Sequence, residues 1–194
     1  MGLRDDKKQN LKAKFRDAAL ALIAAQGYEA TTIEQIASAV NTSPRTFIRY
    51  FPTKEDVIVS WVEDAFRAMV DDFQCSDSGL SAACDLKITI RKALARYEQD
   101  RSFFISLERI ILASPTLLAR KLARIEEIIG DLTRLLAKRD GKNPNGTSPD
   151  VVTRVLLGVM GSTIMTSCLV KKSTSLTELF DHNLQHLEKE LWQS

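Results

Sequence analysis

The side chains with the clearest chemical potential lie close together near the amino terminus, in the run IEQIASAVNTSPRTFIRYFP at residues 33–52. Arg45 and Arg49 are four positions apart, so a helix would place both guanidinium groups on one face. Thr46 and Tyr50 repeat this spacing one residue later and add hydroxyl groups to the neighbouring face. Such donors can bind phosphate oxygens and base edges in the major groove of DNA. The pattern favours DNA recognition, although a solvated surface helix would also carry arginines.

The residues around these donors predict two short helices joined by a tight turn. Thr32 is suited to cap the first helix, with Gln35 three residues later as its capping-box partner. Ser43 can cap the second helix, whose first residue is then Pro44. Asn41 lies in the turn and tolerates a positive φ better than most residues. This order of signals is typical of a helix-turn-helix. The small core that would hold the two helices together comprises Ile33, Ile36, Val40 and Phe47.

Apolar residues recur at helical spacing along the whole chain, with no strand pattern. We predict an all-α protein of about nine helices. It comprises an N-terminal three-helix domain with the helix-turn-helix at residues 1–53 and a C-terminal helical domain at residues 54–194. The helices are expected near residues 5–26, 33–40, 44–51, 54–73, 80–97, 101–113, 115–139, 149–172 and 176–191.

The distribution of charge, cysteine and histidine favours a nucleic-acid-binding protein over an enzyme or a metalloprotein. The first 54 residues hold nine of the 27 basic residues and five of the 25 acidic ones, a basic end suited to a polyanion. The three cysteines, Cys75, Cys84 and Cys168, have no metal-ligand spacing. His182 and His186 lie one helical turn apart, but no third ligand is evident. No glycine-rich phosphate loop or nucleophile motif occurs, so the sequence predicts neither an enzyme nor a metal or cofactor.

The location of the protein is predicted from its apolar segments. Residues 1–18 are polar and mixed in charge, unlike a signal peptide. The most apolar stretch, residues 151–170, contains Arg154 and several serine and threonine residues, which favours a buried helix over a membrane span. We therefore expect a cytoplasmic protein with no membrane partner.

The run GYEATTIEQIASAVNTSPRTFIRYFPTKEDV, residues 27–57, resembles the DNA-binding domain of TetR/AcrR-type regulators. That family shares a Gly-aromatic-x-x-Thr-Thr-Ile lead-in, an Ile-Ala pair, Ser-x-x-Thr at the recognition helix and Tyr-Phe-x-x-Lys-Glu-x-Leu at its exit. Asn41 replaces the usual turn glycine and Thr42 the usual valine. Ile48 stands where many members have tyrosine, so an aromatic DNA contact cannot be carried over to it.

The resemblance, read together with side-chain chemistry, implies a role for each candidate DNA-binding residue. Phosphate contacts are expected from Ser43, Thr46, Tyr50 and Lys54, the last at a helix start where the helix dipole favours an anion. Thr32 can use its backbone amide in the same way. Arg45 is the best candidate for reading a base, with guanine the preferred one, while Pro44 can pack on a thymine methyl and Arg49 can do either.

The resemblance also implies that the C-terminal domain dimerises and senses a small molecule. The expected partners are operator DNA, a second copy and an unidentified inducer that releases a repressor. The dimer is expected through the last two helices, although an intramolecular core would give the same pattern; the candidates are Val151, Val155, Val159, Leu176, Phe180, Leu184 and Leu187. The candidate pocket residues, equally compatible with plain core, are Phe66, Met69, Phe73, Phe103, Phe104, Leu107, Ile110 and Ile111.

Two alternatives to a ligand-released repressor remain open. Cys75 and Cys84 could pair in a redox sensor, although free thiols are expected. A regulator that acts constitutively, or an activator, would carry the same DNA-binding motif.

Overall fold

The computed structural model describes residues 3–143, 146–169 and 174–192, and over these residues the chain forms nine helices and no strand. The predicted all-α class is confirmed. The predicted end of the eighth helix near Lys172 lies outside the described residues. The helices are α1 Leu3–Gln26, α2 Ile33–Ala39, α3 Pro44–Tyr50, α4 Lys54–Cys75, α5 Ala82–Gln99, α6 Arg101–Ala113, α7 Pro115–Arg139, α8 Thr147–Leu169 and α9 Leu176–Trp192.

The local signals around the helix-turn-helix act as predicted. Thr32 caps α2: its hydroxyl accepts from the Gln35 amide at 3.2 Å and its own amide donates to Gln35 Oε1 at 2.9 Å. Ser43 caps α3, and its Oγ accepts from the Thr46 amide at 3.2 Å. Asn41 adopts a φ of 55° in the turn between the two helices. A left-handed asparagine ends α2 in one residue and lets α3 start on a new axis.

The chain packs as two units. The N-terminal unit comprises residues 1–63 and 110–122, and the C-terminal unit comprises residues 64–109 and 123–194. Three helices, α4, α6 and α7, therefore contribute residues to both units. The predicted domain boundary between residues 53 and 54 stays a prediction. It is a single cut in the sequence, whereas each packing unit combines two separate stretches of the chain.

Polar contacts tie helices together within the N-terminal unit. The buried Arg16 on α1 donates from Nε to Ser60 Oγ on α4 at 2.8 Å. Arg120 on α7 donates to Asp56 Oδ1 in the first turn of α4, from Nε at 2.9 Å and from Nη2 at 2.7 Å. Asp56 is buried, and these two charge-assisted hydrogen bonds satisfy its carboxylate at the start of α4.

The C-terminal unit has a continuous apolar core in which α5 packs against both α8 and α9. Beside this core, the buried carboxylate of Asp85 accepts from the Ser78 hydroxyl and from Arg139, and these donors hold its pKa below the usual range although burial opposes ionisation. The largest fully buried side chains of the core are Phe73, Met69, Leu86, Ile90, Leu94 and Phe180.

The apolar helix α8 has two different faces. Within the described residues, the segment Ser148–Leu169 is long and apolar enough to cross a bilayer by length and composition. One face, which includes Leu157, packs against the core of the C-terminal unit. The other face carries exposed apolar side chains, which are considered with the candidate interfaces below.

Candidate functional site

The short helix α3 is held in place by aromatic packing. Its seven residues are too few for a stable isolated helix, so tertiary contacts must fix it. Phe47 is fully buried and meets Phe15 of α1 edge to face, with ring centroids 5.2 Å apart. Phe51, at the end of α3, adds a second ring 5.6 Å from Phe47. The side of α3 opposite these rings is thereby directed to solvent.

The solvent-facing side of α3 carries the predicted DNA-reading groups. Arg45 and Arg49 are both exposed. The Arg49 guanidinium lies 5.4 Å from the centre of the Tyr50 ring, and Tyr50 itself is half-buried against Phe15. Two exposed guanidinium groups on a rigidly anchored helix form a surface that can enter a major groove.

The hydroxyl groups beside these arginines keep hydrogen-bonding capacity for a ligand. Ser43 Oγ lies 3.0 Å from Thr46 Oγ1 while it also caps α3. Each hydroxyl has one donor and two acceptor sites, so the cap leaves room for a further bond. Pro44, the first residue of α3, is half-buried and keeps part of its ring accessible. These positions are compatible with the predicted phosphate and methyl contacts.

The expectation for Thr32 needs one correction. We expected its backbone amide to bind a phosphate, but that amide already donates to Gln35 Oε1 at 2.9 Å. The capping box at the start of α2 already uses the backbone amides of both Thr32 and Gln35. The exposed hydroxyl of Thr32 is the group that stays accessible to DNA.

Lys54 has a structural role that the sequence did not reveal. Its ammonium group donates to the carbonyl oxygens of Tyr28 at 2.8 Å and Thr31 at 2.9 Å. It also lies 4.0 Å from the centre of the Tyr28 ring. An ammonium group has three N–H donors, so one remains for a phosphate. Lys54 thus fastens the loop between α1 and α2 to the start of α4.

The same loop is fastened a second time by Tyr28. Its hydroxyl donates to the carboxylate of Glu55, the residue after Lys54. Burial, and then the contact with Glu55, raise the pKa of Tyr28 far above its ordinary value. Burial opposes ionisation of Glu55, but the hydrogen bonds from Tyr28, the Glu55 backbone and Thr53, together with the charge of Lys54, outweigh it and lower the pKa of that carboxyl group. Tyr28 is therefore a neutral donor and Glu55 an ionised acceptor at neutral pH.

Two family models match the chain. The model for bacterial regulatory proteins of the tetR family matches residues 15–60, and the model for the MftR C-terminal domain matches residues 90–192. The second match covers more than half of the chain, and the first contains every predicted DNA contact. The chain belongs to the TetR family of bacterial transcriptional regulators, whose members are DNA-binding proteins and not enzymes. The sequence-based assignment is confirmed.

Particular relatives agree with this assignment. The chain is 32% identical to the HTH-type transcriptional regulator TcmR of Streptomyces glaucescens over 98% of this chain and 88% of the relative. It is 27% identical to the mycofactocin biosynthesis transcriptional regulator MftR of Mycobacterium tuberculosis, over 84% and 81% of the two chains. Among solved structures, the fatty acid degradation regulator FadR of Bacillus halodurans has the same fold, with a TM-score of 0.64, 20% identity and coverage of 94% and 96%.

The dimer residues predicted on α9 are mostly inside the chain. Leu176 and Phe180 are fully buried and Leu184 is 6% exposed, all three within the core of the C-terminal unit. Contrary to expectation, these three side chains leave little surface for a partner, because this part of the apolar side of α9 packs against its own unit; Leu191, near the end of α9, is 59% exposed. Leu187, further along α9, is half-buried.

A longer row of exposed apolar residues lies on α8. Val151 and Val155 are 47% and 40% exposed, and Met165 and Leu169 continue the same side of the helix. Val159 is half-buried against the core. We call the row at spacings of four and three the α8 stripe: Val151, Val155, Gly158, Ser162, Met165 and Leu169, all exposed.

The predicted pocket residues divide between the two units. Ile110 and Ile111 belong to the N-terminal unit, and the other six belong to the C-terminal unit. Met69 and Phe73 are fully buried in the apolar core, and Phe66 packs against it. Leu107 on α6 is 2% exposed, while Phe103 and Phe104 on the same helix are half-buried.

A polar group next to these rings was missed by the sequence analysis. The Tyr97 hydroxyl is buried and has no hydrogen-bond partner among the described residues, and its ring stacks on Phe104 with centroids 4.5 Å apart. Burial, and then the charge of Glu108, raise the pKa of Tyr97 well above its ordinary value. Glu108 is itself only 7% exposed. No sequence signal distinguishes a buried tyrosine without a partner from an ordinary core tyrosine.

Proposed function

We propose that this protein is a ligand-released transcriptional repressor that binds a pseudo-palindromic operator as a homodimer. The observation that carries the proposal is α3, which buries Phe47 and leaves Arg45 and Arg49 exposed on the opposite side. A two-fold dimer would present two such helices, about 35 Å apart or a multiple of that distance, to two half-sites. A protein that acts on the chromosome in this way works in the cytoplasm.

The contacts with DNA divide between phosphate and base recognition. Phosphate contacts set the register of the helix on the duplex. They are made by Ser43, Thr46, Tyr50, Lys54 and the hydroxyl of Thr32. Arg45 reads a base edge, with guanine preferred because O6 and N7 accept both guanidinium donors. Pro44 packs on a thymine methyl, and Arg49 contacts either a phosphate or a base.

The α8 stripe supports dimerisation. An exposed apolar row on a monomer is a mark of an interaction surface. Its spacing of four and three places all six members along one side of the helix. Helices that pack against each other along their length use residues at this spacing. Arg154 lies beside the stripe and pairs with Asp150 and Glu126, so its positive charge is already compensated within its own chain.

The C-terminal unit is the proposed sensor. The buried Tyr97 hydroxyl without a partner is a neutral donor beside the Phe104 ring, and a small molecule with an acceptor oxygen would satisfy it. Solved structures of the same fold include FadR of Bacillus subtilis with stearoyl-CoA, FadR of Thermus thermophilus with lauroyl-CoA and a SmeT–triclosan complex. Ligand binding that favours a dimer with displaced DNA-reading helices would weaken operator affinity roughly 5- to 150-fold.

The test is a footprint of the full chain on the DNA upstream of its own gene, at two salt concentrations and with candidate small molecules. We expect a protected pseudo-palindrome, and affinity that falls steeply as salt rises. Absence of salt-sensitive affinity for any duplex would reject the function, and a footprint that no ligand weakens would reject only the release step.

Two substitutions separate base reading from phosphate binding. Arg45→Ala should cost specific binding about 1–3 kcal/mol and leave binding to random DNA nearly unchanged. Lys54→Met should weaken specific and random DNA alike and reduce the salt slope by about one. Because Lys54 also donates hydrogen bonds to two carbonyl oxygens, the Lys54→Met variant should lose thermal stability. The Arg45→Ala variant should not, because Arg45 is exposed. Equal effects of both variants on specific and random DNA would contradict the division.

A further inference from the structure

An exposed isoleucine on the recognition helix is not explained by the folding of the chain. Ile48 is 51% exposed, although the next residue towards the amino terminus, Phe47, is fully buried. It follows Pro44 by one helical turn and lies three residues after Arg45, so it lies between these two around α3, beside the exposed Arg45 and the half-buried Pro44. The exposed half of this large apolar side chain contributes nothing to the stability of this unit.

The major groove offers one apolar feature that such a side chain can contact. The base edges there present donors and acceptors, together with the C5 methyl group of thymine. The branched side chain of isoleucine has no hydrogen-bonding atom, so it can distinguish bases only through that methyl group. It is also held stiffly at χ1, which favours a fixed contact.

The position of Ile48 along α3 fixes where that thymine lies. Residues three apart on an α-helix are about 4.5 Å apart along its axis, and base pairs are about 3.4 Å apart along the duplex. Ile48 therefore meets a base pair one or two steps from the one that Arg45 reads.

We propose that Ile48 determines operator specificity by packing on the C5 methyl group of a thymine, one or two base pairs from the base read by Arg45. The proposal rests on the proposed function, because it assumes that α3 enters the major groove. It assigns the side chain to base recognition and not to a phosphate, which isoleucine cannot bind.

The test removes one methyl group at a time from the operator. Once a binding duplex is found by footprinting or by selection from a random duplex library, each thymine is replaced in turn by deoxyuridine, which lacks only the C5 methyl. Apart from any thymine that Pro44 contacts, we expect one symmetry-related pair of thymines, one or two base pairs from the base read by Arg45, at which the change weakens binding about fourfold in each half-site, or about fifteenfold in both. The Ile48→Ala variant should show the same loss on the unmodified duplex and no further loss on the deoxyuridine duplex.

The controls separate this proposal from the proposed function. Leu80, in the loop between α4 and α5, is 64% exposed, and Leu80→Ala should leave affinity for both duplexes unchanged. Specific binding that is insensitive to deoxyuridine at every half-site position overturns the role of Ile48 and leaves the function intact. The role of Ile48 is also overturned if Ile48→Ala binds the unmodified duplex and the deoxyuridine duplex more weakly than the unmodified protein does, by the same factor on both. Absence of specific binding by the unmodified protein rejects the function itself.

Discussion

The last two helices of the chain differ in how they use their apolar residues. Both α8 and α9 carry regular apolar patterns, and both were expected to face a partner. The apolar side of α9 is buried in its own unit from Leu176 to Leu184, and only Leu191 near its end is largely exposed. In α8, Leu157 packs inward while Val151 and Val155 remain exposed. A helix with one apolar side can bury it only once, whereas a helix that is apolar on two sides keeps one for a partner.

The largest effect should follow from truncating the buried side chain of α9. Phe180→Ala removes a fully buried ring and should lower the free energy of unfolding by about 3–5 kcal/mol. Urea unfolding at several protein concentrations measures it and separates folding from dimerisation. The matched variant Val155→Ala on α8 should cost far less, because that side chain is 40% exposed. Comparable losses from the two would contradict the distinction between the helices.

The second effect concerns the α8 stripe. Val155→Arg places a charge on each side of a two-fold interface, where like charges would face each other. We expect the dimer dissociation constant to rise at least about 100-fold, or about 2.7 kcal/mol, and operator affinity to fall with it. Sedimentation and circular dichroism should show a folded monomer. Leu80→Arg adds the same charge at another exposed apolar position and should remain dimeric; a dimeric Val155→Arg protein would remove the stripe from the interface.

Prediction from the sequence succeeded where the interacting residues are close together in the sequence and failed where they are far apart. The cap at Thr32, the left-handed Asn41 and the start of α3 at Pro44 depend on neighbours within a few residues, so local patterns predicted them. The bonds from Lys54 reach residues 23 and 26 positions away, and no local pattern encodes them. For the same reason, the pattern of α9 predicted an apolar side without showing what covers it, and the orphan hydroxyl of Tyr97 depends on the fold around it.

A smaller effect tests the contact between the two helices. Asn183 on α9 donates from Nδ2 to Thr163 Oγ1 on α8 at 3.1 Å, and Thr163 is fully buried. Asn183→Ala should lower the free energy of unfolding by about 1 kcal/mol, since Thr163 also bonds to Val159 O and is not left without a partner. The neighbouring His182 is exposed, and His182→Ala should change stability by less than about 0.5 kcal/mol. A loss of dimer affinity in Asn183→Ala, with unfolding unchanged, would place α9 at the interface after all.

The smallest effect should have opposite signs for folding and association. Gly158 lies on the α8 stripe, and beyond the adjoining backbone of α8 a Cβ atom added there meets no atom of the described residues within 4 Å. Alanine is favoured over glycine by about 0.8–1.0 kcal/mol inside a helix, so Gly158→Ala should stabilise the monomeric Val155→Arg background by about that amount. In the dimer the added methyl group should obstruct a closely packed partner helix and raise the dissociation constant several-fold. Gly130 on α7 provides the control: Gly130→Ala should also raise stability but leave the dimer unchanged, because it is not on the stripe. Should Gly158→Ala strengthen both folding and association, the partner does not approach α8 at this point, and the stripe meets it only through its larger side chains.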